Sequence, residues 1–242
     1  MNTVCIATYN GEKYIAEQLQ SILSQLNEED EVIVSDDGSQ DRTCEIVESF
    51  QDKRIRLLHN DAHHFKWNFI HALKHAQGVY VFLSDQDDVW LEGKYETCCK
   101  LLEEYDLVVT DSIVTDEELT PIEPSFFRFY HSGKGLFKNA VQNTYFGACM
   151  AFRKSLLQRA FPFPQTNEVG HDIWLGLVAE MTGKPYFLEK PFLLYRRHQA
   201  ALTTLSGPVL KRSGRSLWVK LWSRVVVLWE VLKYLVLRRS NN

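Results

Sequence analysis

Five short runs of strand-forming residues, TVCIA (3–7), EVIVS (31–35), RIRLL (54–58), VYVFL (79–83) and LVVT (107–110), are separated by stretches of helical period. This alternation constrains the fold more than any other feature. A strand that returns parallel to its predecessor needs a crossover of a dozen or so residues, and a helix is the usual crossover. In YIAEQLQSILSQL, the residues Ile15, Leu19, Ile22, Leu23 and Leu26 recur at helical spacing on one face, as a helix covering a sheet requires. The expected class is α/β, with right-handed βαβ units forming a mostly parallel, doubly wound, Rossmann-like sheet flanked by helices.

Ligands of such sheets sit outside the carboxyl ends of the strands, and here those ends read TYNG, DDGSQD, SDQDD and TDS. DDGS alone makes an ordinary turn with a helix N-cap. SDQDD alone makes an acidic helix start favoured by the macrodipole. Three carboxylates in four residues, however, exceed what capping needs. Carboxylates at i and i+2 can converge on Mg²⁺ or Mn²⁺, which takes hard oxygen ligands and keeps positions free for phosphate. Asp85 and Asp87 are therefore expected to bind a divalent ion that bridges a diphosphate, with Asp88 turned away or capping the next helix. Trp90 reads as a packing residue.

IATYNGEKYIAEQLQSILSQ, VIVSDDGSQDRT, FLSDQDDVW and GHDIWLGL follow one another within residues 3–200. In this order they resemble the inverting family-2 glycosyltransferases of the GT-A fold, particularly the bacterial rhamnosyltransferase-like branch that makes cell-surface polysaccharides such as capsule and O-antigen. The resemblance implies a donor, a nucleotide-diphospho-sugar linked to UDP or dTDP, and a saccharide or lipid-linked acceptor. It also implies roles. Thr8 and Tyr9 would line the base, Asp36 and Asp37 would contact base and ribose, and Lys66 and Asn68 would add polar contacts to the nucleotide. Asp85 and Asp87 would be the DxD pair, holding Mn²⁺ or Mg²⁺ and the donor, and Asp172 the general base. In YRRH, Arg197 and His198 would touch the diphosphate or complete the metal site; a solvated basic turn is the alternative. On this reading residues 1–205 form the transferase domain, about 1–110 its nucleotide half and about 111–205 its acceptor half. The aromatic-rich segment from Asp111 to Asn143 would be a loop lining the acceptor site, or an ordinary packing loop.

Two other classes are less well supported. A sugar nucleotidyltransferase carries a Gly-rich phosphate loop after its first strand, where ATYNGEKY has only Gly11. A non-catalytic nucleotide-sugar-binding protein has no need of Asp85, Asp87 and Asp172 together.

Charge is distributed unevenly: the chain totals −4, but residues 211–242 carry +7 and the rest −11. An acidic body excludes the basic folded module of a nucleic-acid-binding protein. Residues 206–242 form a basic amphipathic segment, with Leu217, Trp218, Leu221, Trp222, Val225, Leu228, Trp229, Leu232, Leu235 and Val236 on one helical face. Lys220, Ser223, Arg224, Glu230 and Arg238 fall opposite. Interrupted by charge, it should not span a bilayer. It suits peripheral contact with an anionic membrane, or packing on its own domain or on a second copy in a homodimer. The start MNTVCIATYN has no basic n-region and no long apolar h-region, so a cytoplasmic protein at the inner face of the cell membrane is expected. Five cysteines without CxxC spacing read as reduced packing residues.

Overall fold

The computed structural model describes residues 1–198 and 216–240. The boundary expected at 205/206 lies outside them. In chain order the elements are β1 (Thr3–Thr8), α1 (Ile15–Leu23), β2 (Glu31–Asp36), α2 (Thr43–Ser49), β3 (Ile55–His59), α3 (Phe65–His75), β4 (Tyr80–Asp85) and β5 (Val89–Trp90). There follow α4 (Lys94–Leu101), β6 (Leu107–Thr115), β7 (Pro121–Glu123), α5 (Phe126–Tyr130), α6 (Leu136–Val141) and β8 (Met150–Arg153). Last come α7 (Lys154–Ala160), α8 (His171–Thr182), β9 (Pro185–Arg196) and α9 (Leu217–Ser240).

Among the described residues the strands form one sheet in the order β3-β2-β1-β4-β8-β6-β9-β5, with β7 paired to β6. The expected parallel βαβ winding holds from β3 to β4. Beyond β4 the sheet is mixed, because β8 runs antiparallel to both β4 and β6. β1 and β2 are buried along nearly their whole length. A parallel sheet covered on both faces requires this, and it explains why these runs are continuously apolar rather than alternating. On α1, Ile15, Leu19 and Ile22 are fully buried against the sheet, each worth roughly 1.5–3 kcal/mol of transfer free energy.

Register positions the polar strand ends. Thr8 pairs with Asp36 across β1 and β2, and Ala7 pairs with Asp85 across β1 and β4. The TYNG, DDGS and SDQDD turns therefore leave the sheet side by side. The 111–143 segment is more ordered than a loop: β6 runs on to Thr115, and β7, α5 and α6 follow. Its aromatics pack, with Phe126 stacked on Tyr130 at 4.3 Å and on Phe146 at 5.0 Å.

α9 packs on the body, but not through the face its apolar residues suggest. Ser223, Val227, Val231 and Tyr234, at i, i+4, i+8 and i+11, form the seated stripe. Val227 and Val231 are buried, Ser223 bonds Glu168, and the Tyr234 hydroxyl donates to Arg159 O at 3.2 Å. The Tyr234 ring meets Trp174 edge-on at 5.5 Å. Ser223, expected on the solvent side, is thus on the contact side, where small and β-branched side chains allow close approach.

Candidate active site

The DxD turn is held by α1 and by the end of β9. Gln18 interrupts the apolar stripe of α1, yet it is fully buried and donates from Nε2 to Ser84 Oγ at 2.6 Å and to Asp85 O at 2.8 Å. Arg196, only 5% exposed, donates from Nε to Asp87 O and from Nη1 to Glu117 O, and pairs with Glu17 on α1. Its backbone N donates to Asp88 Oδ1 at 3.0 Å. Asp88 therefore turns inward to β9 rather than capping a helix; Gly93 stands at the start of α4. His198 Nε2 lies 2.7 Å from Asp87 Oδ2, and its ring packs on Tyr14 at 4.6 Å.

The electrostatics of this turn are unfavourable to charge. Burial, with Asp87 and Asp172 nearby, raises Asp85 to about 7. Burial, with Asp87 and Asp85 nearby, raises Asp88 well above the carboxylate range, and its Oδ2 has no partner. A cation relieves such repulsion. Asp87 and His198 already meet; the carboxylate would supply the hard oxygen that Mn²⁺ or Mg²⁺ prefers, the imidazole nitrogen a softer second donor, with positions left for phosphate oxygens. Asp85 does not close a triad with them. Among the described residues, the trio whose ligand atoms lie within 4.8 Å of one another is Asp36, Cys44 and His59. That trio is a poor metal site, because Asp36 is committed to protein donors and burial pushes the Cys44 thiol up to about 11.

Asp172 opens α8. Burial raises its carboxyl to about 6, while Ile173 N, donating to Oδ1 at 2.7 Å, and the Asn143 side chain favour the ionised form. It stays largely ionised at neutral pH, with a proton affinity suited to a general base. Gly147 brings the short 3₁₀ turn Gly147–Cys149 against it: a Cβ there would stand 3.6 Å from Asp172 Cβ and 3.3 Å from His171 Nε2. His171 is a packing group, stacked on Phe69 at 4.2 Å, with both ring nitrogens unpartnered and burial lowering it to about 3.

The residues expected to contact the nucleotide divide in two. Tyr9 is 55% exposed at the strand-end surface. Thr8, Asp36, Asp37 and Asn68 are buried and bonded to protein. Thr8 donates to Asp36 Oδ2 at 3.0 Å, Asn68 donates to Thr8 O at 3.0 Å, and Asp37 accepts from the backbone of His63 and His64. They build the wall of the site. Lys66 departs from expectation: it is fully buried, and its Nζ donates to Pro164 O and Thr166 O, both at 2.6 Å. It ties α3 to the loop before Asp172, and burial lowers it to about 8. The Arg197 backbone donates to Thr115 O at 3.0 Å, and the neighbouring Arg196 side chain reaches the DxD turn. Trp90 packs on Phe82 at 5.5 Å and is 3% exposed, as a core residue.

Sequence reasoning passed over Gln18, Gln86, Glu17, Glu117 and Arg196. Gln86, between the two aspartates, accepts from Tyr9 N at 2.9 Å and donates to Tyr9 O at 3.0 Å. A polar residue on an apolar stripe was the available signal for Gln18. A separate groove of about 550 Å³ between α5 and the first half of β9, lined in part by Phe127, Arg128, Lys134 and Tyr186, shares no residue with this set.

Known proteins resemble this chain in sequence and in fold. The chain is 24% identical to the UDP-Glc:alpha-D-GlcNAc-diphosphoundecaprenol beta-1,3-glucosyltransferase WfgD of Escherichia coli, over 97% of this chain and 92% of WfgD. It is 27% identical to the dTDP-rhamnosyl transferase RfbG of Shigella flexneri, over 80% of this chain and 72% of RfbG. The S. aureus TarS 1–349 structure in complex with UDP-GlcNAc matches with a TM-score of 0.66 at 21% identity, over 83% of this chain and 60% of that chain. The mannosyltransferase PcManGT of Pyrobaculum calidifontis, in complex with GDP-Man and Mn²⁺, matches with a TM-score of 0.59 at 25% identity, over 78% of this chain and 54% of that chain. The chain thus spans most of WfgD but little more than half of these two solved structures. The model of Glycosyl transferase family 2 matches residues 3–161, from β1 past α7, and takes in the strand-end turns and the DxD. With that match over well above half its length and a GT-A sheet beneath it, the chain belongs to glycosyl transferase family 2.

Proposed function

We propose that this glycosyltransferase moves a sugar, rhamnose or another hexose, from a UDP- or dTDP-linked donor to a saccharide or lipid-linked acceptor in the assembly of a cell-surface polysaccharide such as capsule or O-antigen. The observation that carries the reading is the convergence of Asp172, raised to about 6, with Asp85 and the Asp87–His198 pair at one sheet edge. WfgD, by its name, uses a diphosphoundecaprenol-linked acceptor, which favours a lipid-linked acceptor here. The half of the chain up to about residue 110 would hold the nucleotide, and the half that follows, with Asp172, the acceptor.

In this reading Asp87 and His198, with Asp85 close by, would hold Mn²⁺ or Mg²⁺. When bound, the ion neutralises charge that develops on the leaving diphosphate. Tyr9 presents its ring to the base, on a loop fixed by Thr8, Asp36 and Asn68. Asp172 orients the acceptor hydroxyl and takes its proton as that oxygen attacks C1 and the bond from C1 to the diphosphate oxygen breaks. A single displacement inverts C1. Arg196 keeps the DxD turn in register through Asp87 O and Asp88.

Calorimetric titration with UDP-sugars, dTDP-rhamnose and GDP-sugars, with and without Mn²⁺, tests the site, with Asp87→Ala as control. Metal-dependent binding of one nucleotide class, lost in the variant, is the expected result; absence of binding to all of them overturns the reading. Acceptor-dependent release of nucleoside diphosphate tests the reaction, and release of pyrophosphate would identify a nucleotidyltransferase instead.

A further inference from the structure

We propose that the outward face of α9 is a docking surface for an anionic lipid bilayer, with the seated stripe holding the helix flat on the body. Trp218, Trp222 and Trp229 recur at helical spacing on that face and are 81%, 63% and 57% exposed, with Leu221, Leu228 and Leu232 exposed among them. A folded protein rarely leaves so continuous an apolar strip to water. On the neighbouring α6, Phe137 and Val141, at i and i+4, are exposed as well. Tryptophan rings favour the headgroup level, where an apolar body and a polar N–H are both satisfied.

Charge selects the occupant. The segment 211–242 carries +7; on α9 Lys233 is exposed and paired with Glu230, and Arg238 is exposed on the side away from the tryptophans. An anionic surface complements that charge, whereas a second copy packed on the same face would set two such segments against each other. Among the described residues no helix is long and apolar enough to cross a membrane, so the helix lies in the interface plane. The surface does not depend on the catalytic reading, since its binding is measured without substrate.

Flotation of the full chain with vesicles tests it. The protein should float with phosphatidylcholine–phosphatidylglycerol vesicles and on the order of tenfold less with phosphatidylcholine alone or at roughly 1 M salt. Trp222→Ser with Trp229→Ser should lower the floating fraction by about tenfold or more while melting temperature stays unchanged, because both rings are exposed. Quenching of tryptophan fluorescence by brominated lipid repeats the test without mutation. Failure to float or to be quenched overturns the proposal. So does a solution dimer that the same substitutions dissolve in the absence of vesicle binding.

A different observation carries a second inference. We infer that Gln86 is a positioning residue that locks the base-binding loop to the DxD turn, a role that rests on the nucleotide reading above. Its amide makes both bonds to the Tyr9 backbone, and a Cβ on Gly11 would fall 2.3 Å from Gln86 Oε1, so Gly11 leaves the room the amide occupies. UDP affinity of the wild type, Gln86→Ala, Gly11→Ala and the double variant tests the lock. Each single change should weaken binding by about tenfold, and the double should be no weaker than Gln86→Ala alone, because the clash partner is gone. Additive losses, or a Gln86→Ala that lowers melting temperature but not affinity, overturn it. A wild type that binds no nucleotide overturns the underlying reading together with it.

Discussion

Two sets of aspartates stand at the same sheet edge in opposite surroundings. Asp36 accepts from the backbone of Gly38 and Ser39 and from the hydroxyls of Thr8 and Ser39; Asp37 accepts from the backbone of His63 and His64. Asp85, Asp88 and Asp172 are raised instead, chiefly by burial, with neighbouring carboxylates adding to the shift of the first two. A carboxylate supplied with several donors, from its own turn or from neighbouring segments, becomes framework. One buried among others is left ready for a proton or a cation.

Breaking this contrast has its largest expected effect at Asp172. Asp172→Asn should lower turnover by about 10²–10⁴-fold with donor affinity unchanged, as measured by steady-state kinetics and calorimetry. The pH profile sharpens the assignment: because the Asp172 carboxyl is held near 6, it gains a proton as pH falls through that value and can no longer accept one. Turnover should then fall about tenfold per pH unit below 6, and this acid limb should vanish in the Asn variant.

On the framework side, Asp36→Ala leaves four donors without their acceptor and should cost about 1–3 kcal/mol in denaturant unfolding, along with weaker donor binding. If it lost activity at unchanged stability, the division between the two sets would be wrong. Lys66→Met frees the two carbonyls of the 164–166 loop and should cost about 1–2 kcal/mol, with a larger effect on turnover than on donor affinity. The smallest effect is expected at Asp88. Its folded-state pKa is raised, so ionisation opposes folding as pH climbs above the ordinary carboxylate value of 3.8. Asp88→Asn should raise the melting temperature of the metal-free protein by a few degrees at about pH 8 and by progressively less toward pH 4.

Much of the fold was legible because its signals are local. Apolar runs of strand length and the stripe on α1 reflect what each element buries, and α/β alternation follows. The antiparallel insertion of β8 between β4 and β6 was not legible, since strand order depends on which edges meet in space. At the site, Asp85, Asp87 and Asp172 could be named by residue type and motif. Arg196 and Glu17 could not: they are 179 residues apart in the chain, and no local pattern joins them. Lys66 was assigned to the nucleotide by resemblance, because it lies where the family often places a polar contact, but its burial turned it to backbone carbonyls instead.

The sequence by itself therefore determined the alternating elements up to about residue 110, the acidic strand ends, the charge of the tail and the family resemblance, because each is a property of residue type and short-range spacing. Tertiary structure alone decided which aspartates are met by several donors and which are raised chiefly by burial. It also decided that α9 seats its Ser223–Tyr234 stripe and turns its tryptophans outward. Those outcomes depend on desolvation and on donors brought from distant parts of the chain, and both exist only once the sheet has assembled.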